Sequence, residues 1–373
     1  MARLRHHIAL AVALARTPGC YSGTRMLAEE HDAYAVLGEG VGAFALQMLP
    51  GDRLAMGTYG AGVRVYDPRH FGSATQAVLN VGSSGSALTI LPDGCLAVGG
   101  DGVRIFNMTA GISGIHGGGS AMLPGAAVNA LLHVPGVGLV VGSDTGLYVL
   151  AGDLRCWTPG SSTPALPRAN LSRPEPQPGD LLRDRFIYSL VRVSNDLVAA
   201  GTDAGVLLLA ASQLRHGAAP LLSLASGRSV PGEVFSLLLL PDGGLAAGTN
   251  NGTLLFDASS LQLGGSPRAV LAQGYTTWAL LLLTGGALLL GTDGDAGALV
   301  LPPSEQVLGG RASASLSGGS IVWSLAALGK GRIAVGTSDG VQLFNVESLG
   351  GLGGDHRDDD HRAQPADVGW ADS

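Results

Sequence analysis

The sequence predicts an all-β fold, a seven-bladed β-propeller of four-stranded antiparallel blades. Two features predict it: a glycine-rich, weakly charged composition, and a strand-turn-strand unit that recurs at near-constant spacing. Glycine accounts for 59 of 373 residues and is interleaved with strand-forming apolar residues rather than set apart from them. Such interleaving favours many short strands joined by tight turns.

The clearest unit occupies residues 234–257. An apolar strand from Val234 runs into Pro241-Asp242-Gly243, a second strand ends in Gly248-Thr249, Asn251-Gly252 turns the chain, and a third strand ends in Phe256-Asp257. Proline fixes φ, the Asp side chain bonds the backbone two residues on, and glycine tolerates positive φ, so each punctuation suits a hairpin turn. A variable link and the apolar stretch 269–274 then supply a fourth strand.

Aligning the glycine that closes the second strand gives Gly57, Gly99, Gly142, Gly201, Gly248, Gly291 and Gly336, spaced 42, 43, 59, 47, 43 and 45 residues apart. A four-stranded propeller blade needs roughly 40–50 residues. The long interval contains a Pro/Ser-rich insertion at 158–178, expected to loop out of the third blade. The strands are apolar on both faces, as required of a sheet sandwiched between two neighbours.

A fourth-strand signal recurs at 78–82, 122–125, 222–227, 270–274 and 315–318 but does not follow the seventh unit. Ala35-Val-Leu-Gly-Glu-Gly40 matches it, so residues 34–40 are expected to complete the last blade and close the ring. The resulting organisation is a tail or targeting segment at 1–33, the propeller at 34–349 and a flexible acidic tail at 350–373.

Residues 240–257 resemble the second and third strands of a WD40 repeat, with Phe256-Asp257 in place of Trp-Asp; Tyr66-Asp67, Phe106-Asn107 and Phe344-Asn345 occupy the same slot. No Gly-His dipeptide precedes the units. Val322-Trp-Ser-Leu325 and Gly336-Thr-Ser-Asp-Gly340 are also similar to the propeller repeats of two-component sensor ectodomains. The resemblance implies a non-catalytic scaffold that binds a protein or peptide through one face of the ring. Its alternative is a ligand-sensing propeller in a secreted or organellar compartment; a propeller hydrolase or lyase is a third reading.

Just before the first leucine of each unit stands a recurring slot, filled by Phe44, Ser86, Asn129, Tyr188, Phe235, Trp278 and Trp323. An aromatic set at one mouth of the channel could grip a partner; its plainer reading is packing between blades. The turn after the second strand carries Asp101, Asp144, Asp203, Asp293, Asp295 and Asp339, an acidic crown suited to a basic partner or a cation. Here too a plainer cause exists, because tight turns favour Asp. Arg183, Asp184, Arg185 and Glu233 break the repeat in the links toward that face and are candidates for specificity.

A net charge of −7 with 14% charged residues argues against nucleic acid as partner. No HxH, HExxH or CxxC pattern occurs, so no metal or cofactor is expected, and Cys20, Cys95 and Cys156 read as small apolar fillers. His356 and His361 lie in a charge run that reads as a solvated end. Neither GxSxG nor a phosphate loop is present, so no catalytic residue is assigned and the chain is not expected to be an enzyme. No apolar run reaches the roughly 18–20 residues that cross a bilayer. The start Met1-Ala-Arg-Leu-Arg, an apolar run from Ile8 and Ala13-Leu-Ala15 leave the location open between cytoplasmic and, with residues 1–15 as an address, secreted or organellar. Sequons at Asn107, Asn170 and Asn251 matter only in a secreted chain. A closed ring is expected to be monomeric.

Overall fold

The computed structural model describes residues 29–69, 75–79, 81, 84–108, 122–150, 182, 184–216, 219–224, 232–307 and 310–346. They form an all-β propeller. The first sheet contains Ala43–Leu49, Arg53–Thr58, Val63–Tyr66 and Ala77–Leu79. The second has five strands, Ala87–Ile90, Cys95–Asn107, Met122–Val134, Gly138–Ser143 and Gly146–Leu150. The third contains Ile187–Arg192, Leu197–Thr202, Gly205–Ala210 and Leu222–Leu224, and the fourth Val234–Leu239, Leu245–Thr249, Gly252–Phe256 and Ala269–Leu271. In the fifth, Thr277–Leu282, Leu288–Thr292, Ala298–Leu301 and Ala314–Leu316 are joined at the outer edge by Glu29–His31, running parallel. The sixth contains Val322–Gly329, Arg332–Thr337, Gly340–Asn345 and Ala35–Leu37.

Counting a blade as one hydrogen-bonded sheet, the propeller has six blades and not the seven expected. The seven aligned glycines do stand on seven strands, but Gly99 and Gly142 share the second sheet. The merger has a local cause. In six units a hydroxyl residue follows the glycine, is fully buried, and donates to a carbonyl across the turn: Thr58 to Gly62 (2.8 Å), Ser143 to Gly146 (3.0 Å), Thr202 to Gly205 (2.9 Å), Thr249 to Gly252 (2.8 Å), Thr292 to Gly297 (2.7 Å) and Thr337 to Gly340 (3.0 Å). Gly100 follows Gly99 instead, and a Cβ there would lie 1.9 Å from the Ser84 carbonyl oxygen. Without that turn-closing bond, Cys95–Asn107 runs as one strand and pairs with Met122–Val134, which pairs in turn with Gly138–Ser143. The sheet is nonetheless folded on itself: Leu123 has φ of 55°, and Cys95, Ala97, Val103 and Ile105 pack against Val128, Leu139 and Val141.

Ring closure also needs correction, since residues 34–40 do not form one closing strand. The strand itself is Ala35–Leu37, at the outer edge of the sixth sheet, flanked by bonds from the Tyr34 N–H to the Leu343 carbonyl (3.0 Å) and the Gly40 N–H to the Asp339 carbonyl (2.9 Å), and the preceding strand Glu29–His31 lies on the fifth. The two ends of the propeller meet deeper in. There the Ser324 hydroxyl donates to the Ala43 carbonyl at 2.9 Å, and Leu54, Met56 and Tyr66 share one core with Ala326, Leu328 and Leu343.

Core apolar residues lie between sheets, as in the cluster joining Ala199 and Leu208 of the third to Ala247 and Phe256 of the fourth. The aligned glycines are the points of closest approach. A Cβ on Gly201 would sit 2.7 Å from the Val234 carbonyl, on Gly248 2.7 Å from that of Thr277, and on Gly336 2.8 Å from that of Ala43. In each case the carbonyl begins the inner strand of the next sheet, so any side chain would push the sheets apart.

Cys95, read above as a filler, is fully buried and disulfide-bonded. The insertion at 158–178, Arg183 and the tail at 350–373 lie outside the described residues.

Candidate functional site

In the inner strands the ladder slips by one residue at each of the aromatic positions. Pairing passes from Ala43 to Ala45, from Ile187 to Ser189, from Val234 to Ser236, from Thr277 to Ala279 and from Val322 to Ser324. The skipped residues are Phe44, Tyr188, Phe235, Trp278 and Trp323. A bulge leaves its residue unpaired and re-aims the side chain, and here five bulges bring five rings together.

The rings form a continuous arc. Tyr188 meets Phe235 edge-on with centroids 5.2 Å apart, Phe235 meets Trp278 at 4.4 Å, Trp278 meets Trp323 at 5.0 Å, and Trp323 meets Phe44 at 5.1 Å across the seam of the ring. Phe186 and Tyr59 extend the two ends at 6.0 Å each. Phe44, Tyr188, Phe235 and Trp278 are only half-buried, Trp323 is 9% exposed and Tyr59 is 53% exposed.

The remaining two slots are polar and act as staples. The Ser86 hydroxyl donates to the Val128 carbonyl at 2.6 Å, and the Asn129 amide donates to the Ile187 carbonyl at 3.3 Å, each bridging to the next inner strand. Where the slot is aromatic, this bridging falls to a neighbour when it occurs, as with Ser324 beside Trp323. The rings are therefore not needed for that link. The indole N–H of Trp278 is buried with no acceptor among the described residues, as are the hydroxyls of Ser189 and Ser236.

Register places the arc beside the turns after the second strands, since Ile187, Thr277 and Val322 pair with Thr202, Thr292 and Thr337. Those turns carry the aspartates. Asp144 and Asp293 each make a reciprocal clamp: the backbone N–H of Ala127 donates to the Asp144 carboxylate (3.1 Å) and that of Thr276 to Asp293 (2.9 Å), while each Asp returns its own N–H. Burial raises the Asp293 carboxyl above the ordinary range, against the opposing pull of the Thr276 hydrogen bonds. Asp203 lies 3.5 Å from Arg185. Asp101, Asp295 and Asp339 are exposed, as is Asp184, which adopts φ of 58°, and Glu233 is half-buried.

The two ends of the ring differ in charge. Among the described residues, the loops around the arc carry Glu39, Asp184, Glu233 and the six crown aspartates against one cation, Arg185. At the opposite end the signs are mixed. There Arg69 pairs with Asp67 at 2.9 Å and Arg268 with both Asp242 and Asp257 at 3.0 Å, and Arg53, Arg192, Arg311, Lys330 and Arg332 add further positive charge. Sequence reasoning found the five core rings of the arc but not Tyr59 and Phe186 at its ends. Among the described residues, no group of three His, Cys, Asp or Glu side chains is arranged to hold a metal, and no helix is long and apolar enough to cross a membrane.

No family model matches the sequence, and no curated protein matches it. Solved structures do. The WD40 β-propeller domain of Doa1 is similar over 84% of this chain and 96% of that one, with 14% identity and a TM-score of 0.59. The extracellular domain of BT4673 from B. thetaiotaomicron, described as a hybrid two component system, is similar over 84% of this chain at 20% identity and a TM-score of 0.59, but this chain covers only 39% of it. That of BT3049 from the same organism gives 14% identity and a TM-score of 0.58, again over 39% of its length. At these identities the likeness is one of fold, a WD40-like propeller.

Proposed function

We propose that this WD40-like propeller is a non-catalytic scaffold that seats a segment of another protein on the aromatic arc at one mouth of the ring. The observation that carries the reading is the continuity of the rings: five of the six slots that a bulge re-aims hold aromatics, Asn129 being the sixth, and the rings touch in sequence from Tyr188 to Phe44. Half-buried aromatics at the centre of a patch are the side chains that dominate recognition. Asn129 ties the second sheet to the third and Ser86 ties two inner strands within the second, so at these slots a polar side chain and not a ring makes the link.

A photo-crosslinking residue placed at Tyr59, on the arc, and separately at Leu263, 83% exposed at the opposite end, tests the reading. Crosslinks to a partner from position 59 and none from 263 are expected. Equal capture from both, or capture from 263 alone, counts against the arc.

A second reading, a ligand-sensing propeller outside the cytosol, is favoured by the disulfide at Cys95, since such bonds persist in oxidising compartments. Mass spectrometry of the chain from its native source, alkylated before reduction, tests it. A free Cys95 thiol removes that support.

A further inference from the structure

We infer that the occupant of the arc is an arginine side chain on a basic, flexible segment of the partner protein, an inference that rests on the docking reading above. Each of the five rings has a carboxylate either in the turn after the second strand of its own sheet or in the link that leads into its inner strand. Asp203 and Asp293 directly follow the threonines that pair with the residues just before Tyr188 and Trp278, and Asp339 lies two residues after Thr337, which pairs with the residue just before Trp323. Glu233 stands two residues before Phe235, and the exposed Glu39 lies in the link into the strand of Phe44. An aromatic seat and a ring of negative charge therefore coincide around one axis.

That pairing selects among ligands by elementary electrostatics. A phosphorylated or acidic segment meets nine carboxylates against one cation, Arg185, itself 3.5 Å from Asp203, among the described residues of the loops around the arc. A neutral apolar segment would use the rings but gain nothing from the acidic loops around them. A guanidinium uses both: its weakly hydrated plane stacks on an aromatic face while its edge donates to carboxylates. An ammonium is more strongly hydrated and lacks the plane, so lysine is the weaker occupant.

The test is a positional-scanning peptide library, with arginine, lysine, citrulline or leucine fixed at each position in turn, probed with the full chain and with its Trp278→Ala, Trp323→Ala variant. Arginine is expected to exceed lysine and citrulline by about tenfold at one position or more, and the preference is expected to vanish in the double variant. Selection of leucine or citrulline, or equal selection of lysine, that still depends on the two tryptophans overturns the arginine inference while leaving the docking reading in place. Selection that does not depend on them overturns both. Should the double variant fail to fold, Glu39→Gln with Asp339→Asn, both at exposed positions, supplies the second arm. It is expected to weaken the arginine peptide by about fivefold with unchanged melting, and an unchanged affinity overturns the inference.

Discussion

The rings of Phe235 and Trp278 lie with centroids 4.4 Å apart, although one belongs to the fourth sheet and the other to the fifth. Contact between them requires two things at once. Each residue must be thrown out of its ladder by a bulge, and the two inner strands must approach closely. The second condition is met by glycine: Gly248 carries no side chain where the next inner strand begins at Thr277.

Replacement of Gly248 by alanine is accordingly expected to be costly. The new Cβ would lie 2.3 Å from the Ser236 hydroxyl and 2.7 Å from the Thr277 carbonyl, so the fifth sheet must move. A loss of about 2–3 kcal/mol in denaturant-induced unfolding is expected. Gly274→Ala provides the contrast, because φ there is 95° but nothing lies within 4 Å. It should cost only the backbone strain, about 1 kcal/mol. Equal losses at the two positions would show that sheet spacing is not what the repeat glycine protects.

The hydroxyl after the glycine closes the turn from inside. Thr249→Val keeps the shape but removes the donor to the Gly252 carbonyl, and a loss of about 1–3 kcal/mol is expected from the same unfolding measurement. The exposed Ser338→Ala should change stability by no more than about 0.5 kcal/mol. A neutral Thr249→Val would mean that the carbonyl finds another donor.

Asp293 gives the arc a pH dependence with a definite sign. Its carboxyl is raised by burial, so between the ordinary carboxylate value and the raised one the folded chain binds more protons than the unfolded chain. Stability therefore falls as pH rises through that window, and at neutral pH the ionised Asp293 subtracts from it. Asp293→Asn, whose amide oxygen can still accept the Thr276 N–H, is expected to melt higher than the native chain at pH 7. The advantage should shrink as pH falls into the carboxylate range, where Asp293 becomes neutral itself. Melting curves that stay parallel from pH 7 to pH 3 would contradict the assignment.

The repeat was legible in the sequence because its constraints are local. Glycine at each close approach, Pro-Asp-Gly at Pro241-Asp242-Gly243, and an aromatic ending the third strand all leave residue signatures. The joining of two units into one sheet depended on Gly100 replacing a hydroxyl residue, a visible signal whose meaning emerges only once the Thr249 to Gly252 bond and its counterparts are known. Glu29–His31 carries no apolar pattern to announce a strand. It is held as a parallel addition to an edge that is distant in sequence. Tyr59 occupies a turn position where other units have Asp, Asn or Ser, and this departure was the available sign of the arc's end.

The aromatic arc as a docking seat is tested most directly by affinity capture from the native source with three baits: the native ring, the Trp278→Ala, Trp323→Ala ring and Arg268→Ala at the opposite end. A partner held by the native ring and by Arg268→Ala, and lost from the double variant that still melts cooperatively, is the predicted result. Identical partners on all three baits would contradict it.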